Sequence, residues 1–203
     1  MVGNESGKAG PDGAAAPGRV KGTLLIARMK FLRGQGKISL DSVLEQLSSS
    51  QRDVLMGILL PSTWYPSDLL LRLECAIAAV IARGDRARAF NAMGRFSAQA
   101  NLGPGGVQRP WVREGQPHHL LERVPRMYLS QHSSGRRTYE RLSDHSAVIR
   151  TYESETTVAD DCQGVVGWLE RAIELSGGKG VRVVETECRT RGGDHCQFRC
   201  DWT

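Results

Sequence analysis

Near the C-terminus, the types and spacing of four residues suit a metal site: Cys162, Glu185, Cys188 and Cys196. A strong turn signal at residues 192–194, Gly-Gly-Asp, separates Cys188 from Cys196, and the flanking runs have strand character. In a hairpin centred on Gly192 the two cysteines lie opposite each other, with Cβ atoms about 4.5–5.5 Å apart. Two thiolates at that distance can bind one tetrahedral ion, and a cross-strand disulfide fits nearly as well.

The sequence favours a metal over a disulfide at these cysteines. The first ten residues lack the apolar segment of a secretory signal peptide, and no apolar run approaches the ~18 residues of a membrane span. We therefore expect a cytoplasmic protein, and structural disulfides are rare in that compartment. The cysteine count of five, an odd number, is also a poor basis for a disulfide framework.

The fourth ligand has two candidates when only spacing is considered. Cys200 follows Cys196 by four residues, which is roughly 13 Å along a regular strand and too far to share one ion without a bulge. Glu185 precedes Cys188 by three residues, so the two would face opposite sides of a regular strand. A β-bulge or the length of the glutamate side chain would have to bring its carboxylate to the thiolates.

Cys162 belongs to a helix predicted from about residue 160 to 176. The apolar residues of this helix recur at i, i+3, i+4 and i+7, so Cys162 faces inward, toward the predicted sheet. The start of a helix also favours the thiolate form of a cysteine. Three sulfur atoms and one carboxylate around a tetrahedral ion suit Zn²⁺, and four protein ligands would make such a site structural.

From Cys162 to Phe198 the sequence resembles the 4-vinyl-reductase-type small-molecule-binding domain, which occurs in aromatic-sensing bacterial transcription activators and in stand-alone proteins. The shared pattern is a cysteine that opens a helix, a Gly-aromatic pair, a helix-ending glycine, an acidic strand residue and two cysteines around a Gly-rich turn. These positions here are Cys162, Gly167-Trp168, Gly178, Glu185, Cys188 and Cys196. The resemblance implies that the three cysteines and Glu185 hold a structural zinc, and it favours Glu185 over Cys200.

This family is similar in turn to the haem nitric-oxide-binding domains and to core subunits of vesicle-tethering complexes. The similarity implies an α+β fold, with N-terminal helices packed on an antiparallel sheet of C-terminal hairpins, of the nitric-oxide-signalling and Golgi-transport type. It also implies an enclosed apolar pocket for a ligand or lipid, and frequent dimerisation. No residue matches a proximal-histidine motif, so the sequence does not predict haem.

The elements around the site come in the order helices first, antiparallel strands afterwards, which is typical of the α+β class. Residues 1–20 are rich in Gly, Ala and Pro and are predicted to form a disordered tail before a single domain over 21–203. Helices are predicted over 24–32, from 39, over 52–59, 67–82 and 85–100, and from 117. Strands are predicted over 138–142, 147–152, 181–188 and 196–202. The loop 101–110 is long enough to act as a lid over a pocket.

The sequence contains no nucleophile elbow, phosphate loop or dinucleotide fingerprint, so we do not expect an enzyme. We expect a zinc-stabilised small-molecule sensor that signals through contacts with an unidentified protein partner. Its ligand should be apolar, aromatic or lipid-like, and candidate pocket residues are Phe96, Trp111, Tyr128 and Trp168. The alternative is a dimeric scaffold of the tethering-complex type whose pocket is empty or filled by lipid.

The distribution of charged and apolar residues indicates whether the chain binds nucleic acid or a second copy of itself. The net charge is +5, but the basic residues are scattered and match no recognised nucleic-acid-binding motif, so no nucleic-acid partner is expected. The helix predicted over 67–82 is apolar around more of its circumference than one small sheet can cover. A homodimer built on the N-terminal helices is therefore expected.

Overall fold

The structure is a computed structural model, and it describes residues 18–154 and 158–203. Helices fill the first half and an antiparallel sheet fills most of the second. The elements in chain order are β1 (Arg19–Lys21), α1 (Gly22–Arg33), α2 (Lys37–Glu45), α3 (Ser49–Met56), β2 (Trp64–Pro66), α4 (Ser67–Ile81), α5 (Arg86–Leu102), α6 (Pro117–Leu121), α7 (Val124–Gln131), β3 (Arg136–Ser143), β4 (Ser146–Tyr152), α8 (Asp161–Leu175), β5 (Arg182–Glu187) and β6 (Cys196–Asp201).

Local sequence signals explain where several helices begin. Ser48 forms a capping box with Gln51 at the start of α3, since its hydroxyl accepts from the Gln51 amide while the Gln51 side chain accepts from the Ser48 amide. Asp85 caps α5 by accepting from the amide of Arg88. Pro117 occupies the first turn of α6, where its missing N–H has no cost.

The C-terminal sheet has the strand order β3-β4-β6-β5, and every neighbouring pair is antiparallel. One face of this sheet is buried: Ile149, Phe198 and Cys200 have no exposed surface. Helix α8 lies against β5 and β6 and covers this face. Strands β1 and β2 form a separate two-stranded ribbon among the N-terminal helices. The predicted α+β class, with helices packed on an antiparallel sheet, is confirmed.

Two hydrophobic cores meet along α5. The N-terminal core lies among α1, α2, α3 and α4 and includes Phe90 and Met93 of α5, while the C-terminal core lies between α8 and the sheet and includes Leu102 of α5. Helices α5 and α8 pack with their backbones in close contact, because Gly94 and Gly167 leave no side chain between them. This contact fixes the position of α8, and with it Cys162, relative to the N-terminal helices.

Several predicted boundaries differ from the structure. The predicted tail, residues 1–20, lies outside the described residues as far as residue 17, whereas Arg19 and Val20 belong to β1, where Val20 is 2% exposed. The predicted loop 101–110 is shorter, because α5 continues to Leu102 and residues 109–111 form a 3₁₀ turn. None of the helices in the described part of the chain combines the length and apolar character needed to cross a membrane.

The apolar surface of α4, from which a homodimer was predicted, is covered within the chain. Helix α4 packs against α1, α2 and α5 as well as the β1–β2 ribbon. Leu73, Ala76 and Ile77 at its centre are at most 4% exposed. The apolar surface of α4 is thus shared among other elements of the chain, so its width no longer argues for a dimer, and the homodimer stays a prediction that rests on the resemblance.

Candidate ligand cavity and cysteine cluster

Cys162, Cys188 and Cys196 converge where the start of α8 meets the β5–β6 hairpin. The Sγ atom of Cys162 lies 3.5 Å from that of Cys196 and 3.8 Å from that of Cys188. One potential ligand atom from each cysteine and one from Glu185 all lie within 4.8 Å of one another. The three cysteines are at most 4% exposed. The structure therefore brings together the four residues that the sequence singled out.

A β-bulge in β5 turns Glu185 toward these thiols. Glu185 pairs with Phe198 and Glu187 pairs with Gln197, so two steps along β5 match one step along β6. The Oε2 atom of Glu185 accepts a 2.6 Å hydrogen bond from Arg191, whereas its buried Oε1 atom has no hydrogen-bond partner among the described residues. The bulge is the local irregularity that the spacing required if Glu185 was to join the cluster.

Two polar residues close to the cluster in the sequence, Cys200 and His195, are not part of it. Cys200, the competing ligand, is buried in the C-terminal core, where burial raises the pKa of its thiol to about 12. The Nδ1 atom of His195 lies 3.3 Å from the carboxylate of Glu187, and the imidazole stacks on Tyr152. Neither residue belongs to the group of clustered ligand atoms found in the described chain.

Contacts within the cluster separate the pKa values of two thiols. The hydrogen bond between Cys162 and Cys196 raises the pKa of Cys162 above its ordinary value and lowers the pKa of Cys196 to about 6. Within this pair the shared proton is held by Cys162, which favours the thiolate form of Cys196. Three cysteine sulfur atoms beside the buried Oε1 atom of Glu185 are a donor set suited to a cation.

A cavity of about 470 Å³ lies between the N-terminal helices and the sheet, within the range typical of small-molecule sites. Much of its wall is apolar and comes from Val20, Leu24, Leu70, Leu71, Val165, Trp168 and Phe198. Cys162 and Cys196 also line it, so the cysteine cluster borders the cavity. The cavity and the cluster are thus two parts of one region rather than separate sites.

One side of the cavity carries a buried ion pair. Nε of Arg28 donates a 2.6 Å hydrogen bond to Glu74, and the same guanidinium donates to Ser97 Oγ and to the carbonyl of Met93. Burial raises the pKa of Glu74 to about 7, against the opposing effect of Arg28. The arginine is therefore held by three acceptors of the protein, while the carboxyl group can lose or gain a proton near neutral pH.

Another part of the wall is formed by His132, which ends α7, and by Arg137 on β3. The imidazole of His132 stacks on Tyr128 with ring centroids 4.2 Å apart. Burial, helped by the charge of Arg137, lowers the pKa of His132 to about 3. The imidazole is therefore neutral at physiological pH, the form in which histidine binds metal ions.

The structure divides the four aromatic residues predicted to line a pocket. Tyr128 and Trp168 line the cavity. Phe96 and Trp111 do not appear among its described lining residues: Phe96 packs edge-on against Phe31 of the N-terminal core, and Trp111 packs against the C-terminal core. The prediction of an apolar pocket is also incomplete, because the wall carries several charged groups.

The charged residues of the cavity wall were not predicted from the sequence, although the position of one of them, Glu74, is unusual. Glu74 follows Leu70 by four residues and precedes Ile77 by three, so it lies on the apolar stripe of α4. A carboxylate in that position must be paired or functional, since an isolated buried charge is costly. Arg28, His132 and Arg137 come from three different elements, and no spacing in the sequence shows that they share a cavity.

A family model described as "Protein of unknown function (DUF2378)" matches residues 55–203. The comparison with curated proteins found no match. The chain is similar in structure to an H-NOX protein from S. oneidensis in the Fe(II)NO ligation state, with 13% identity over 90% of this chain and 99% of that one and a TM-score of 0.69. It is also similar to an oxygen-binding H-NOX domain related to soluble guanylate cyclases, with 14% identity, 90% and 95% coverage and a TM-score of 0.67.

A third similar structure comes from work on haem distortion in the H-NOX family, with 14% identity, 90% and 95% coverage and a TM-score of 0.68. These similarities confirm, at the level of fold, the expected relation to haem nitric-oxide-binding domains. The resemblance to the 4-vinyl-reductase type and to tethering complexes stays a prediction. The expectation of a structural Zn²⁺ as the cofactor was wrong. The similar structures are described as haem proteins, and the cysteine–glutamate cluster is compatible with a metal ion without proving one.

Proposed function

The chain belongs to the DUF2378 family of proteins of unknown function, and we propose that it is a non-catalytic sensory domain that holds a small molecule in the cavity between its helices and its sheet. The single observation that carries the proposal is that cavity, which is of ligand size, largely apolar and supplied with a few charged groups. The similar H-NOX structures support it, because they include ligand-bound states described for oxygen and nitric oxide.

Haem is the first occupant to consider, because the structures of similar fold are described as haem proteins. The cavity wall fits this group in one respect that can be tested: His132 presents a neutral imidazole, the axial ligand of many haem proteins. Haem would supply an iron atom able to coordinate a diatomic gas. Of the residues of this chain, His132 would bind the iron, and Trp168 and Phe198 would give the ring apolar surroundings.

The haem proposal is tested by titrating hemin into the purified protein and recording its absorption spectrum. We expect saturable binding at one equivalent per chain and a Soret band distinct from that of free hemin. His132→Ala should change that band, because it removes the proposed axial nitrogen. His145→Ala is the matched control, since His145 is an exposed turn residue that does not line the cavity.

Three results would count against the haem proposal or against His132 as its iron ligand. Absence of saturable hemin binding would leave the small-molecule cavity without its first candidate. A spectrum of the His132→Ala variant identical to that of the unchanged protein would mean that another residue binds the iron. Retention of the free-hemin spectrum in both proteins would reject a specific haem site altogether.

We also propose that the ligand atoms of Cys162, Glu185, Cys188 and Cys196 hold one metal ion. The buried Oε1 atom of Glu185 without a hydrogen-bond partner supports this proposal, since an unpaired buried acceptor is costly unless something binds it. Elemental analysis of protein purified without added metal tests it. One equivalent of metal that is lost in Cys188→Ser and kept in Cys75→Ser, a cysteine outside the cluster, is the expected result. Equal metal content in both variants would reject it.

Signalling in this proposal passes through contacts with another protein, which the chain would make when its cavity is filled. The homodimer and the partner both stay predictions. The competing function is a dimeric scaffold that recruits partners regardless of its cavity content. Light scattering with and without hemin bears on the choice. A dimer of unchanged mass in both conditions favours the scaffold, and an oligomeric state that changes when hemin binds favours the sensor.

A further inference from the structure

Arg137 differs from Arg28, another arginine of the cavity wall, in lacking a counter-ion among the described residues. Its Nε atom donates a 3.1 Å hydrogen bond to the hydroxyl of Thr151, and its guanidinium lies 4.7 Å from the ring centroid of Tyr128. No carboxylate of residues 18–154 or 158–203 lies at ion-pair distance from it. Its two terminal nitrogens are therefore available, within the described chain, to a group that enters the cavity.

The surroundings make this arrangement costly for the protein alone. Arg137 is partly buried, and burial lowers the pKa of its guanidinium. Against this effect, Tyr128, Asp161, Cys162 and Cys196 each favour the protonated form. Arg28, by contrast, is held by the Glu74 carboxylate and two further acceptors. A buried cation that lacks an ion-pair partner is expected where an anionic ligand completes the site.

We propose that Arg137 is an anion subsite of this cavity and that it recognises the carboxylate of an amphipathic small molecule whose apolar body lies against the rest of the wall. This inference rests on the proposed function and names the class of its ligand. The planar guanidinium fork suits a carboxylate, which can accept from both terminal nitrogens. Trp168, Val165 and Phe198 line the same cavity and offer an apolar surface to the body of the ligand.

The test uses two pairs of fluorescent probes, each an acid and its ester. Cis-parinaric acid and its methyl ester represent fatty acids, and protoporphyrin IX and its dimethyl ester represent the propionates of haem. Within each pair the apolar body is the same, so the difference in affinity reports the carboxylate. We expect the acid of at least one pair to bind at least tenfold more tightly than its ester, and the favoured pair identifies the source of the carboxylate.

Arg137→Met removes the charge while keeping an apolar side chain of similar length. It should remove the preference for the acid and leave the affinity for the ester within about twofold. Arg136→Met is the matched control: Arg136 is the preceding residue on β3, it is exposed, and it packs over Tyr152 outside the cavity wall. The control should keep the acid preference of the unchanged protein.

The folded state is checked by thermal unfolding without ligand. We expect Arg137→Met to be at least as stable as the unchanged protein, because it replaces an uncompensated charge by an apolar group. If it fails to fold, Arg137→Gln keeps a neutral polar side chain and should show the same loss of preference.

The outcomes separate the subsite from the proposed function. Equal affinities for acid and ester in both pairs, or an acid preference that survives Arg137→Met, would overturn the anion subsite while the small-molecule cavity stands. Failure of all four probes to bind would overturn both.

Discussion

Replacing Gly94 by alanine tests how closely α5 and α8 pack, and through that contact how Cys162 and the cavity are positioned. A Cβ atom at Gly94 would lie 1.9 Å from the carbonyl oxygen of Gly164, about 1.5 Å closer than the 3.4 Å at which ordinary contact begins. The clash is with backbone, so no side-chain rotation can relieve it. The two helices must separate, and both hydrophobic cores touch α5.

The expected cost follows from overpacking a close helix contact, which typically destabilises by about 1–3 kcal/mol. Alanine gains about 0.5–1 kcal/mol of helix propensity over glycine, which offsets part of that cost. Gly164→Ala is the matched control on α8, because a Cβ atom there would meet its nearest neighbour, the carbonyl oxygen of Phe90, at an ordinary 3.6 Å. That variant should gain about 0.5–1 kcal/mol.

Urea unfolding followed by tryptophan fluorescence measures both free energies. Gly94→Ala should unfold at lower urea concentration than the unchanged protein, and Gly164→Ala at higher concentration. In a domain of this size 1 kcal/mol shifts the melting temperature by about 2–4 °C, so thermal scans should give the same order. Equal stabilities for the two variants, or a more stable Gly94→Ala, would refute the close contact between these helices.

Three further predictions concern stability. The pKa of Glu74 is raised in the folded protein from 4.5 to about 7, so the folded state binds more protons than the unfolded state between these pH values. The free energy of unfolding should therefore fall by about 3 kcal/mol as pH rises from 4.5 to 7. Urea titrations at several pH values should show a flatter slope for Glu74→Gln, and an unchanged slope would contradict the assignment. Ser48→Ala should cost about 0.5–2 kcal/mol through loss of the α3 capping box, whereas the same change at exposed Ser50 should cost less. Leu169→Ala should cost about 2–5 kcal/mol because Leu169 is fully buried beneath the sheet, and a cost below 1 kcal/mol would show that α8 packs differently.

The cysteine cluster was predictable because its determinants are local. Cys188 and Cys196 flank one turn, so hairpin geometry alone brings them together, and the helical stripe orients Cys162. The position of Glu185 depends on a β-bulge, and no residue type in β5 predicts that bulge. The spacing of the residues shows only that Glu185 needs a bulge to reach the cysteines. The resemblance to the small-molecule-binding family is what favours Glu185 over Cys200 as the fourth ligand.

The cavity was less predictable because it is built from residues far apart in the chain. Arg28 meets Ser97 across 69 residues, and Arg137 lies beside groups from α7, β4 and α8. The pocket candidates were aromatic residues, and aromatic character does not distinguish Trp168, which lines the cavity, from Phe96, which packs against the N-terminal core. Helix α4 does carry a wide apolar surface, and α1, α2 and α5 of the same chain pack against it.

The most direct test of the central claim is native mass spectrometry of the protein isolated from its own host, compared with the same sample after unfolding. A small-molecule sensor should carry one non-covalent organic molecule per chain, seen as a mass difference that a metal ion alone does not explain. Leu71→Trp, which places an indole at the cavity wall, should lose that mass while staying folded. Identical masses before and after unfolding, apart from any metal, would contradict the account.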